Sequence, residues 1–286
     1  MKERLTALFL LTSVLLGFLL APLSAQTPLT NHFLGGDPGG VYFRVGGNGP
    51  PLLLVHGFGA SGKQWDRFVE DLSTDFTLVI PDLPGHGEST RLLDSWDYDI
   101  VAGLLFEVLD ELGLEKVDAI GHSAGSTALL HMALADPGRF SSLVLVSQTH
   151  RLPLAARELA RTWPEFDEMP EEVQNLYASY HRNGGDQFAR LLPQFRGLAD
   201  DFAAYDLSPE HVAQIKMPTL IVMGDRDPYY PMGLVTEFYE ALPNAVLWVV
   251  PNQGHTPVWP ELGGDEIAAE DFPGRVKAFL ADAGSG

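Results

Sequence analysis

Short, almost unbroken apolar runs alternate along this chain with longer amphipathic stretches, and few architectures accommodate that rhythm. "PLLLVHG" at 51–57, "FTLVIPD" at 76–82, "VDAIG" at 117–121 and "SSLVLVS" at 141–147 have the length and bounds of strands. Between them, the stretches 63–72, 98–112 and 124–135 read as helices. Strands that are apolar on both sides must be covered on both faces, as in a parallel sheet with helices above and below. "VYFRV" at 41–45, bounded by glycines, predicts a strand entering the fold. After Ser147 the rhythm stops. From Gln148 to about Ala213 there are only helix-like segments, and then "TLIVMG" at 219–224, "AVLWVV" at 245–250 and a helix near 265–282 restore it. The expectation is an α/β fold: a mostly parallel central sheet flanked by helices, interrupted by a helical cap at about 148–213.

The N-terminus has a different character. Lys2 and Arg4 precede a leucine-rich stretch from Leu5 to Ala21, and "PLSAQT" places Ala25 at the end of a small-residue cleavage pattern. Residues 1–25 therefore read as a signal peptide, residues 26–286 as the mature domain, and the location as secreted or periplasmic. An uncleaved N-terminal membrane anchor is the alternative, since the apolar stretch is nearly long enough to cross a bilayer. With 38 acidic against 18 basic residues, the net charge of −20 opposes binding to nucleic acid or to an anionic membrane surface. The chain has no cysteine, which removes disulfides, thiolate metal sites and a cysteine nucleophile together.

The stretch "AIGHSAGSTALL" at 119–130 places Ser123 between Gly121 and Gly125, where a strand turns into a helix. A nucleophile held on so tight a turn has strained backbone, and glycines two residues to either side relieve the crowding. A serine hydroxyl is a poor nucleophile until a base takes its proton, and that base needs a carboxylate to orient it. Both groups are found after later strands, in the order Ser, Asp, His: "MGDRDPYYP" supplies Asp225 or Asp227, and "PNQGHTPVWP" supplies His255. "VHGFGAS" at 55–61 offers backbone N–H groups after an early strand, so the Phe58 and Ala124 amides are the expected oxyanion donors. His56 is expected to prop that loop.

With "HGFG", "DLPGHGES" at 82–89, "GHSAG", "GDRD" and the final "GH" in that order, the chain resembles a capped α/β-hydrolase of the serine, esterase-like kind from about Val41 onward. The resemblance implies a Ser123, Asp227 and His255 triad, because the family's acid stands three residues after the glycine of a G-x-x-D pattern; Asp225 is the fallback. It implies structural rather than catalytic roles for Asp82, His86 and Ser89. Ser126 departs from the family, where many members carry a second glycine.

The resulting expectation is a secreted serine hydrolase cleaving a carboxylic ester of a small or medium apolar substrate through an acyl-enzyme, with no cofactor and no metal. The expected partner is a small-molecule substrate, with neither nucleic acid nor, once the signal is cleaved, membrane. Two alternatives remain: another bond (carbon–carbon, amide, or peracid formation), or a ligand receptor on the same fold, because fold alone does not decide function. If the insertion caps the site, Phe58, Trp163, Tyr177 and Trp259 are the candidate pocket walls, although most aromatics of the insertion are expected to pack it onto the core. No Walker A motif and no H-E-x-x-H occur.

Overall fold

The computed structural model describes residues 28–36, 39–201 and 205–284. The expected signal segment, residues 1–25, lies outside them. Eight strands form one sheet: β1 Thr30–Leu34, β2 Val41–Gly47, β3 Pro51–Val55, β4 Thr77–Pro81, β5 Val117–His122, β6 Phe140–Val146, β7 Thr219–Gly224 and β8 Ala245–Val250. Their spatial order is β1-β2-β4-β3-β5-β6-β7-β8. Strand β2 runs antiparallel to both β1 and β4, and every pairing from β4 through β8 is parallel. Strand β1, "TNHFL", has no counterpart in the sequence reading. It is a largely exposed edge strand with a polar start, so no alternation of buried residues marks it.

The unbroken apolar runs follow from this arrangement. Leu53 and Val55 of β3, Val79 of β4 and Ala119 of β5 face one core. Their neighbours Leu52, Leu54, Ile80 and Ile120 face the other, because successive side chains on a strand point to opposite faces. Helices α1 (Asp66–Leu72), α2 (Tyr98–Glu111) and α3 (Ala124–Ala135) follow β3, β4 and β5 in turn. α1 packs with the C-terminal helix on the second core through Phe68 and Phe272, whereas α2 and α3 cover the first. Asp97 caps α2 by accepting the N–H groups of Asp99 and Ile100.

Between β6 and β7 the described residues form helices and no strand: α4 Leu154–Arg161, α5 Glu171–Tyr180, α6 Gly185–Gly197 and the short α7 Pro209–Val212. After β7 come α8 Met232–Ala241, then β8, and finally α9 Glu266–Ala283. The α4 to α6 region has a small core of its own, with Met169, Phe188 and Leu192 buried and the Tyr177 ring stacked on Phe188 at 4.1 Å. Arg157 of α4, fully buried, donates to the carbonyls of Leu152 and Leu198 and pairs with Asp206 at 2.6 Å. One side chain thereby ties both ends of the helical segment together. The loops at the C-terminal ends of β3, β5, β7 and β8 open beneath this segment, and they carry the candidate site.

Candidate active site

Strand β5 ends at His122 and α3 begins at Ala124, so Ser123 alone makes the turn, with φ 50° and ψ −115°. A side chain rarely tolerates that backbone conformation. The flanking glycines are required by contact. A Cβ on Gly121 would stand 2.6 Å from the Ser126 nitrogen, and one on Gly125 would stand 2.3 Å from the Val55 carbonyl oxygen. The turn fits because α3 starts hard against the ends of β3 and β5.

Ser123, His255 and Asp227 meet. The Ser123 Oγ is 2.9 Å from His255 Nε2, and His255 Nδ1 is 2.8 Å from Asp227 Oδ2. With Nδ1–H donating to the carboxylate, Nε2 presents its lone pair to the serine hydroxyl. The second carboxylate oxygen, Oδ1, accepts the N–H groups of Tyr229 and Tyr230 at 2.8 and 3.2 Å, which fixes the rotation of the group. Asp225, by contrast, is exposed and does not reach His255.

Phe58 lies in the turn after β3, and Ala124 is the first residue of α3; both line the cavity at Ser123. Among the described residues neither backbone N–H has an acceptor. The four expected scaffold residues tie the loops after β3 and β4 together. His56 donates from Nδ1 to the Gly57 carbonyl and accepts the Leu83 N–H at Nε2 (2.9 Å), and burial lowers its pKa to about 3. Asp82 accepts the Gly62 and Glu88 N–H groups, and burial raises its pKa to about 6. Ser89 donates to the Asp82 carbonyl, and His86 Nδ1 donates to that of Pro84.

A cavity of about 680 Å³ opens at Ser123 beneath the helical segment. Phe58, Trp163 and Tyr177 are among its walls, joined by Tyr98, Tyr180 and Phe195. Trp259 is not. It is fully buried beneath the site, against Trp65 and the His122 ring, and its Nε1 donates to the Gln64 carbonyl. A residue four positions past the base was expected to follow it into the pocket; instead the chain turns back and plants the indole in the second core.

Several further polar groups support the site. Gln64 and His122 link the loops around Ser123 from below. On the opposite side, Tyr230 donates to Tyr205, Tyr205 donates to Gln148 and Gln148 donates to Thr127, joining the return from the helical segment to α3. No spacing rule marks such residues, because each is defined by a partner more than twenty positions away. His122 lay within a motif already recognised, and its buried polar ring was the available signal.

A sheet of this order, with a strained serine at the end of a central strand and a histidine and carboxylate on later loops, is a hydrolase scaffold. The chain has the α/β-hydrolase fold, and the family model described as "alpha/beta hydrolase fold" matches residues 50–179. A pimeloyl-[acyl-carrier protein] methyl ester esterase of Nitrosomonas europaea is 29% identical over 245 residues, covering 76% of this chain and 93% of that one. A putative 2-succinyl-6-hydroxy-2,4-cyclohexadiene-1-carboxylate synthase of Bacillus subtilis is 27% identical over 247 residues, covering 76% and 89%. Among solved structures, an α/β hydrolase enzyme from a Medee basin deep-sea metagenome library superposes with a TM-score of 0.70 at 22% identity, covering 87% of this chain and 97% of its own.

Proposed function

We propose that this hydrolase is a serine esterase that cleaves carboxylic esters of small or medium, apolar and uncharged substrates. The observation that carries the reading is the hydrogen-bonded line from Ser123 through His255 to Asp227, standing at the mouth of an aromatic cavity. Ser123 Oγ attacks the ester carbonyl carbon as its proton passes to His255 Nε2. Asp227 stabilises the imidazolium, and the Phe58 and Ala124 N–H groups receive the oxyanion. The alcohol leaves with the proton from Nε2. Water then attacks the acyl-enzyme with His255 as base, releasing the acid and restoring Ser123.

The cavity volume supports a substrate of drug-like size rather than a polymer. No lysine or arginine is among its described lining residues, and its charged side chains include Glu172 and Glu261, so a substrate carboxylate or phosphate would find no counter-ion. The esterase relative supports ester chemistry; the synthase relative keeps another bond as the alternative outcome. The decisive experiment is a panel of p-nitrophenyl esters from acetate to octanoate, assayed at neutral pH with and without a chelator. Turnover insensitive to chelator is expected. A folded preparation with no burst and no turnover across the panel sinks the ester reading.

The location reading from residues 1–25 is also ours to propose: export, with cleavage after Ala25. Intact-mass measurement of the protein from its natural source should place the mature N-terminus at Gln26. Retention of Met1 in a membrane fraction would replace export with anchoring.

A further inference from the structure

Beneath the catalytic line, one amide joins the loops that must act together. Gln64 sits in the short 3-10 helix Gly62–Trp65 after β3 and is buried. Its Oε1 accepts the Gly57 N–H at 3.0 Å, one residue before the Phe58 amide. Because that contact requires an acceptor, the amide cannot be flipped, and its Nε2 donates to His122 Nδ1 at 3.0 Å. His122 Nδ1 must then carry a lone pair. Its proton lies on Nε2, 3.0 Å from the main-chain carbonyl of His255, to which it donates. The chain of bonds has one direction, from the amide through the imidazole to the backbone of the base.

A second tie closes the arrangement. Trp259, on the same loop as His255, donates its Nε1–H to the Gln64 carbonyl at 3.0 Å and lays its indole against the His122 ring, 4.6 Å between centroids. Gln64 thus holds the oxyanion loop through its side chain and the base loop through both His122 and Trp259. Burial keeps the His122 ring neutral, with a pKa of about 3. Neutrality matters, since the ring lies 5.2 Å from His255, where a second cation would oppose the imidazolium.

We propose that Gln64 is a positioning residue: through a neutral, Nε2-protonated His122 it sets the separation between the oxyanion donor at Phe58 and the base at His255. The proposal rests on the serine-esterase reading. It adds a residue at the cavity floor that hydrogen-bonds to none of the three catalytic side chains. Gln64→Leu keeps the bulk but removes both side-chain bonds, leaving the Gly57 N–H and His122 Nδ1 without partners. Displacing either loop by a fraction of an ångström to an ångström is expected to lower kcat about 100-fold, with KM within about threefold, because the aromatic walls of the cavity are unsubstituted.

Two measurements test it. The first is kcat and KM of Gln64→Leu and of the shorter Gln64→Asn on the best p-nitrophenyl ester. A selective loss of kcat supports positioning, and a kcat within threefold of the parent in either folded variant overturns it. The second is the nitrogen-15 spectrum of the parent protein at pH 6 to 8, which needs no variant to fold. A His122 ring protonated only at Nε2 supports the directed chain, and protonation at Nδ1 overturns it. If the parent hydrolyses no ester, the functional reading fails, and the spectrum still decides whether Gln64 sets the His122 tautomer as inferred.

Discussion

Replacing Asp227 by asparagine tests the candidate site most sharply, because the surrounding bonds dictate how the amide must sit. Oδ1 of Asp227 accepts two backbone N–H groups, from Tyr229 and Tyr230. In Asp227→Asn the amide oxygen must keep that place, so the NH₂ faces His255 Nδ1, where Oδ2 now stands at 2.8 Å. Two donors cannot share that contact. The imidazole responds by moving its proton to Nε2, and Nε2–H then points at the Ser123 hydroxyl and cannot accept its proton. The imidazolium of the transition state also loses its counter-charge. A wrong tautomer of this kind costs about 10⁴ in kcat, or roughly 5.5 kcal/mol at 1.36 kcal/mol per tenfold. KM should change little, since Asp227 does not line the cavity. The assay is p-nitrophenyl butyrate hydrolysis, with circular dichroism to verify folding and Asp225→Asn as the control. Asp225 is exposed, and its substitution should change kcat by less than about threefold. An Asp227→Asn protein retaining a tenth of the parent kcat, or an inactive Asp225→Asn, refutes the argument.

Three further outcomes are expected. Gly125→Ala drives a Cβ to 2.3 Å from the Val55 carbonyl oxygen and 2.6 Å from that of His56, both backbone, and should cost about 3 kcal/mol or more in urea unfolding; a loss under 1 kcal/mol would mean α3 can shift. Arg157→Leu leaves Asp206 and the carbonyls of Leu152 and Leu198 without their buried partner, so a loss of about 3–5 kcal/mol and faster proteolysis within 148–213 are expected; unchanged proteolysis would show that other contacts hold the helical segment. Stability should fall as pH drops below 6.5. His56, His122 and His181, with folded pKa values of about 3, 3 and 4, and His86, shifted in the same direction, take up protons only on unfolding. Between pH 3.8 and 6 Asp82 works against them, since its raised pKa makes the folded state bind the proton. At pH 5 the histidines outweigh Asp82, so unfolding should take up protons on balance, read from urea curves at several pH values; a flat profile from pH 7 to 5 contradicts it.

Much was decided locally along the chain. The alternation of short apolar runs with helical stretches determined a covered parallel sheet, because burying both sides of a strand leaves its sequence without a polar phase. Gly121, Ser123 and Gly125 announced the turn, since only small neighbours fit around a side chain at φ 50°. The aspartate was half legible: residue order left Asp225 and Asp227 open, and the three-residue spacing carried from the family picked the one that reaches His255. Other features belonged to the tertiary structure alone. Strand β1 exists because β2 offers it an edge, and its own five residues carry no burial pattern that would announce it. Trp259 turned away from the cavity, because a side chain's direction depends on the path of the loop after β8 and on the room between Trp65 and His122. Gln64 acquires its place only when His122 at the end of β5 and Trp259 from the loop after β8 meet it beside Gly57. Periodicity and turn chemistry act over a few residues and are written in the sequence, whereas a hydrogen bond across 58 or 195 positions exists only once the chain has closed.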